Sequence, residues 1–238
     1  ALGAFWMTKE VEGAKGEGKY FASPNDAINA FDYGLVDFRA KVKVLATDTP
    51  KYKQFEGQVF ETTVGRLLFN SVLPSDHDFI NDVVTQRDLF GVVIDLIDAR
   101  GIDIVPSVVD KIKKFVFKYA MHSGTTWGID DVVIPEKKQE ILDKARTQEQ
   151  VIRDHYEYGL LSRDERRRLI IQIWHQTKTE LEEEIPATLD ENGSAYDLWK
   201  SGARGSIRQI SQMVGMKGLI VNTRGETLEF PILSSMKE

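Results

Sequence analysis

Tyr156-Glu157-Tyr158-Gly159-Leu160-Leu161-Ser162-Arg163-Asp164-Glu165 is the stretch on which the fold of this chain turns. Gly159 supplies a helix C-cap, the position where a left-handed backbone suits glycine. Three residues on, Ser162-Arg163-Asp164-Glu165 has the capping-box pattern that opens a new helix. Upstream, Pro135 suits a first helical position, and Ile141, Leu142, Ala145, Ile152 and Tyr156 recur at three-to-four spacing. Downstream, Leu169, Ile170, Ile173, Trp174, Leu181 and Ile185 form a second stripe, which Pro186 closes. Each helix is expected to run roughly 24 residues, about 36 Å at the α-helical rise. So short a connection makes them antiparallel neighbours. Their apolar stripes are narrow and the remaining faces charged, which predicts a protruding helical hairpin over 135–186.

Outward from the hairpin, the pattern becomes mixed. Residues 66–122 read as helix: Arg66 to Leu73 stopped by Pro74, then segments near 78–85, 88–100 and 106–121. Residues 1–65 read as strand and turn with one short helix, capped by Ser23 with Pro24 at its first position and ended by Gly34. Phe38 to Leu45 and Gln58 to Val64 are the expected strands. Residues 187–238 read as loop, a short helix near 195–200, a glycine-rich segment, and a hairpin of 218–221 with 226–230 about Asn222-Thr223-Arg224-Gly225. The expected class is α+β, predominantly helical: a mixed strand and helix region followed by a long antiparallel helical hairpin.

Bulk properties narrow the function classes. The chain has 238 residues, 42% hydrophobic and 29% charged, the balance of a soluble globular protein with a sizeable core. With no cysteine, disulfides and thiolate metal sites are excluded. No apolar run approaches the ~20 residues that span a bilayer, and Ala1-Leu2-Gly3-Ala4-Phe5-Trp6 lacks the basic region of a signal peptide. A net charge of −6 argues against a free-standing nucleic-acid binder. The chain opens in mid-apolar sequence and stops without a terminating signal, so it reads as a piece of a larger polypeptide.

Ser201-Gly202-Ala203-Arg204-Gly205-Ser206, continuing to Gly218, carries the most suggestive chemistry. Small residues surround isolated cations there, at Arg204, Arg208 and Lys217. Backbone freed of side chains, together with guanidinium and ammonium groups, suits phosphate contact. It is neither a Walker loop nor a GxGxxG turn. Asp130-Asp131 is either a pair of hard oxygen ligands or, just ahead of Pro135, a capping pair at a helix start. Arg163, Arg166, Arg167 and Arg168 crowd the hairpin tip against the helix dipole: either a docking knob for an acidic partner or a solvated helix start. Glu180, Glu182, Glu183 and Glu184 near the other end of that helix read as a solvated face. The four histidines pair with nothing at metal spacing, and no nucleophile–base set assembles, so no catalytic residue and no metal ligand is assigned.

The wording of several blocks says more than their chemistry. Thr62-Thr63-Val64-Gly65-Arg66, then Ser123-Gly124 leading into Gly128-Ile129-Asp130-Asp131-Val132-Val133-Ile134-Pro135-Glu136-Lys137-Lys138, then Ser201 to Ser206 with Gln209-Ile210 and Gln212-Met213, resemble in order and spacing the beta-prime subunits of bacterial multisubunit RNA polymerases. Pro231 to Glu238 resembles the lead-in to that family's bridge helix. Phe5 to Glu10 with Gly16-Glu17-Gly18 resembles the segment just past its active-site barrel.

The resemblance covers essentially the whole chain and implies a layout. Residues 1–122 become the pore region. Residues 123–190 become the funnel with its rim-helix hairpin, around the secondary channel that admits nucleoside triphosphates. Residues 191–238 become the glycine-rich loop and hairpin leading to the bridge helix. It implies that Arg204 lies near the path of the incoming nucleotide, that Gln209, Gln212, Met213 and Lys217 line or brace the same wall, and that Gre-type channel factors dock at Arg163, Arg166, Arg167 and Arg168. The implied partners are the beta, alpha and omega subunits, with DNA and RNA through the full complex and no membrane. The implied location is the cytoplasm, with the nucleoid. The family's magnesium-holding NADFDGD motif is not in this chain, so the catalytic magnesium is expected outside it. The alternative is a stand-alone hairpin platform that binds proteins without catalysis. A self-contained nucleotide-binding enzyme rests on the glycine-rich loop alone.

Overall fold

At Thr63 a strand becomes a helix with no intervening loop. The Thr63 backbone is extended, and its hydroxyl accepts the Arg66 N–H at 3.2 Å, capping the helix that starts at Val64. The computed structural model describes residues 1–238, which divide into two compact units: 1–125 with 200–203, and 126–199 with 204–238. The nine α-helices and three strands are α+β and predominantly helical, as expected.

The first unit contains α1 (Leu2–Thr8), β1 (Tyr20–Phe21), α2 (Pro24–Asp32), β2 (Lys41–Leu45), β3 (Val59–Thr63), α3 (Val64–Val72), α4 (Gln86–Arg100) and α5 (Val105–His122). The sheet order is β1-β2-β3. β1 is parallel to β2, and β2 is antiparallel to β3, with Val42 opposite Thr62 and Val44 opposite Phe60. Along β2, Val42 and Val44 are buried while Lys43 faces water, the alternation of a half-wet strand. Ser23 caps α2 and Pro24 occupies its first turn, as the sequence indicates.

Two glycines let backbones meet in this unit. A Cβ on Gly3 would lie 2.0 Å from the Val116 carbonyl oxygen of α5, and one on Gly65 would lie 1.8 Å from the Met7 carbonyl oxygen. The sequence pattern does not announce α1: seven nearly all-apolar and small residues have no polar face to reveal a helical period.

No helix forms over 78–85. That backbone pairs with side chains instead of with itself. Asn70 Nδ2 donates to the Ile80 carbonyl and Asn70 Oδ1 accepts the Ile80 N–H, both at 2.8 Å. The Val84 N–H donates to buried Thr8 Oγ1 at 2.8 Å. Thr8 is also the acceptor for Arg66, whose Nε reaches the Thr8 carbonyl at 2.9 Å while Nη1 pairs with Glu10 at 2.7 Å. Every partner of these buried groups is therefore another buried or half-buried group, the arrangement burial demands.

The second unit is built on α6 (Lys138–Glu157) and α7 (Arg163–Thr188), with α8 (Ser194–Lys200) and α9 (Ile207–Val214). The turn between α6 and α7 agrees closely with the sequence reading. Gly159 has φ 74°, and the Leu160 N–H bonds the His155 carbonyl while the Gly159 N–H bonds that of Tyr156, a Schellman ending. Ser162 and Glu165 then form the reciprocal capping box.

The helix limits differ from expectation at both outer ends. Pro135 precedes α6, and its carbonyl accepts the Lys138 N–H in a turn. α7 runs through Pro186 to Thr188. Proline there forfeits a single ladder bond in the last turn. Buried Ile185 and Leu189, packed with Val132, Ala195, Ile210 and Val214, hold the helix on its course.

The hairpin does not protrude bare. Chain from Met216 to Lys237 runs along it as a strap: Met216 joins the cluster of Leu142, Ala145, Ile170, Trp174 and Leu181, with Leu219 and Leu233 packed against it. The narrow stripe is thus covered by apolar side chains the sequence places some fifty residues later. The strap is the expected 218–230 hairpin in reduced form. Only two isolated bridges close it, Gly218 with Ile232 and Val221 with Thr227. Between them the second arm is longer than the first, so it bulges, and Pro231 brings no N–H to a ladder.

Candidate functional site

The candidate residues of 201–217 follow one another through three successive contacts. Ser201 and Gly202 close against Gln86: the Ser201 carbonyl accepts the Gln86 N–H at 2.8 Å, and Gly202, at φ 75°, lies where a Cβ would come within 3.0 Å of the Gln86 side chain. Arg204 then donates its N–H to the Leu198 carbonyl at 3.2 Å, and Gly205 takes φ 89°. Ser206 caps α9, with the Gln209 side chain returning to the Ser206 N–H at 2.9 Å. α9 is absent from the sequence reading, although Ser206 and Gln209 have the spacing of a capping box.

Arg204, exposed, stands at the edge of a cavity of about 480 Å³ walled by Trp127, Trp199, Ile210 and Met213, with Gln209 beside it. The structure therefore brings Arg204, Gln209 and Met213 to one place. Gln212 and Lys217 do not line that cavity. The Gln212 carbonyl accepts the Met236 N–H at 3.1 Å, the Met213 carbonyl accepts the Lys237 N–H at 3.0 Å, and the Lys217 N–H bonds the Ser234 carbonyl at 3.2 Å. These residues clamp the end of the strap. Trp127 and Trp199 are additions to the expected set; the available signal was Trp127, a large aromatic in an otherwise polar turn.

The strap's far end is fixed to the start of α6. Lys138, buried, donates to Glu238 at 2.6 Å, and the Ser235 N–H donates to the same carboxylate at 2.9 Å. The Lys138 ammonium and this N–H hold the Glu238 carboxyl below the usual carboxylate range. Lys237 Nζ donates to the Val132 carbonyl at 2.7 Å. Burial raises the Tyr196 hydroxyl pKa, with the Glu191 and Asp197 charges adding to it.

The hairpin tip divides its arginines. The Arg166 guanidinium lies 4.5 Å from the Tyr156 ring centre and pairs with Glu229 at 2.9 Å. Arg167 Nη2 donates to the Thr227 carbonyl at 2.9 Å. Both are spent on the strap. Arg163 and Arg168 face water. The Ser162 N–H and hydroxyl bonds to Glu165 lower its carboxyl pKa, which keeps that cap charged.

Asp131 accepts the Gly128 N–H at 2.7 Å, a capping contact, while Asp130 is exposed with Lys237 Nζ at 3.9 Å. Within the acidic cluster of α7, Glu182 faces Lys178 and Glu184 pairs with Lys137. No helix of the chain is long and apolar enough to cross a membrane.

Residues 1–132 match the family model described as RNA polymerase Rpb1, domain 3. The chain belongs to the RNA polymerase Rpb1 family. Residues 161–234 match Rpb1 domain 4, a stretch that contains α7 and all nine candidate residues from Arg163 to Lys217. Along its entire length the chain is 35% identical over 250 residues to the DNA-directed RNA polymerase subunit beta' of Sulfurihydrogenibium sp. (strain YO3AOP1), of which it spans 15%. It is 38% identical over 237 residues to the corresponding subunit of Desulforudis audaxviator, spanning 20% of it. The chain thus spans about a fifth or less of the length of these curated relatives.

Proposed function

We propose that this chain supplies the pore and funnel of a DNA-directed RNA polymerase beta-prime subunit, lining the secondary channel through which nucleoside triphosphates reach the active centre. The observation that carries this reading is Arg204, exposed between two glycines of positive φ at the edge of an apolar cavity, inside the segment that matches Rpb1 domain 4. A guanidinium presents a planar fork of donors that fits phosphate oxygens. An apolar wall beneath it lowers the local dielectric and strengthens that attraction. Gln209 and Met213 shape the wall directly. Gln212 and Lys217 brace it from behind, through backbone bonds to the strap.

This reading assigns the chain no complete active site. Asp131 is occupied as a cap and Asp130 faces a lysine, so the pair does not fit a magnesium site. The catalytic magnesium would be held elsewhere in the subunit, and nucleotidyl transfer would proceed there. The partners are the beta, alpha and omega subunits, nucleoside triphosphates, and DNA and RNA through the assembled enzyme, in the cytoplasm with the nucleoid. Gre-type channel factors dock at the tip through Arg163 and Arg168, whose guanidinium groups face water, while Arg166 and Arg167 keep the tip in shape.

The test is Arg204→Ala in polymerase assembled from a beta-prime subunit carrying this chain. Loss of one charge-assisted phosphate contact, worth about 1.5–3 kcal/mol, slows nucleotide addition on the order of tenfold or more. Unchanged single-nucleotide addition rates would remove Arg204 from the nucleotide's path.

A further inference from the structure

The strap is held at three levels, against the hairpin and at its base also against α9, and the contacts differ in kind. At the tip it is held by charge: Glu229 to Arg166, the Thr227 carbonyl to Arg167, and Phe230 with Arg153 at 5.8 Å from the ring centre. At mid-length it is held by packing: Leu219 and Leu233 on the hairpin cluster, and Gly218 against the Lys178 side chain, where a Cβ would come within 3.2 Å. At the base it is held by backbone and charge: Met236 and Lys237 to the last turns of α9, and Glu238 to Lys138. The tip contacts arise because the second arm bulges between its two bridges, which turns Glu229 and Phe230 out of the ladder toward α6 and α7.

We propose that Arg166 and Glu229 are a positioning pair that couples the hairpin tip to α9 through this strap. The tip and the α9 turns that carry Gln212 and Met213 then share one two-state element: the strap seated or lifted. Glu229 is mostly buried in this pair and Arg166 is confined between it and Tyr156, so both side chains are largely withdrawn from water. Releasing them frees the bulge and with it the segment leading to Met236. The coupling does not depend on what docks at the tip or passes the wall, so it stands or falls separately from the channel reading.

Amide hydrogen exchange of the 238-residue chain, resolved by NMR, tests it. Coupling between sites is reciprocal and typically changes an equilibrium fivefold or more, and exchange reads such local openings residue by residue. Glu229→Gln is expected to speed exchange of the Leu228 and Ile232 amides, and also of the Met236 and Lys237 amides that bond α9 carbonyls, by about fivefold or more, leaving Trp174 in α7 protected. Lys237→Met, made at the base, is expected to speed Leu228 at the tip by a comparable factor. Faster exchange confined to the mutated end in either variant overturns the proposal. So does loss of protection throughout α7, which would mean that the strap is simply part of the hairpin's global stability.

Discussion

Gly65 presents its Cα to the carbonyl oxygen of Met7 so closely that a methyl group there would sit 1.8 Å from that oxygen. Helix α3 therefore packs on α1 with no side chain between them, directly after the strand-to-helix switch at Thr63. The contact fixes α1, whose residues Ala4 and Met7 are fully buried in the core of the first unit.

Gly65→Ala is expected to destabilise the first unit by about 3 kcal/mol, because two backbones must separate to admit one methyl. Gly91, within α4, is the counterpart: a Cβ there meets nothing within 4 Å. Gly91→Ala is expected to stabilise by about 1 kcal/mol through helix propensity alone. Urea midpoints of the two variants measure the difference. Equal shifts, or shifts of the same sign, would contradict the close approach at Gly65.

Thr8 carries a second prediction. Its hydroxyl donates to the Ala4 carbonyl at 2.7 Å and accepts the Val84 N–H at 2.8 Å, with Thr8 fully buried. Thr8→Val preserves shape and strands the Val84 N–H, which costs about 1–3 kcal/mol. Thr8→Ser restores the acceptor and is expected to recover most of that loss apart from one methyl. Denaturation of the pair separates the hydrogen bond from packing. A Val variant as stable as the Ser variant would mean that Val84 finds another partner.

The same residues explain what the sequence made legible. The α6–α7 turn is readable because its signals are local: Gly159 and the Ser162–Glu165 box act within a few residues of one another. Ser23 and Pro24 before α2 are readable for the same reason. The 78–85 segment is not, because its fate is decided by Asn70 and by Thr8, which lies far away in sequence. Apolar spacing alone cannot distinguish a helix from a backbone that finds side-chain partners. The strap is half legible. Asn222 to Gly225 marks its turn, but nothing local signals that Leu219 and Leu233 would cover the hairpin or that Glu229 would claim Arg166. Four clustered arginines look equivalent in sequence; only tertiary structure separates the two that bind the strap from the two that face water.

Glu238 gives a pH dependence with a definite sign. Its carboxylate accepts from Lys138 Nζ and the Ser235 N–H, which lowers its folded pKa from an ordinary value of 4.5. A lowered folded value means that the seated strap end binds a proton less readily than the freed one. Its contribution is full above 4.5 and is lost as pH falls through the lower folded value. The Ser235 amide resonance is therefore expected to titrate with a midpoint below 4.5 and to stop titrating in Glu238→Gln. The carboxylate side chain is 40% exposed, so the charge attraction is partly screened. Raising salt should move the midpoint upward toward 4.5 without abolishing the titration, because the Ser235 hydrogen bond is less sensitive to ions than the Lys138 pair. A midpoint at or above 4.5 in low salt would mean that Lys138 and Glu238 do not meet in solution.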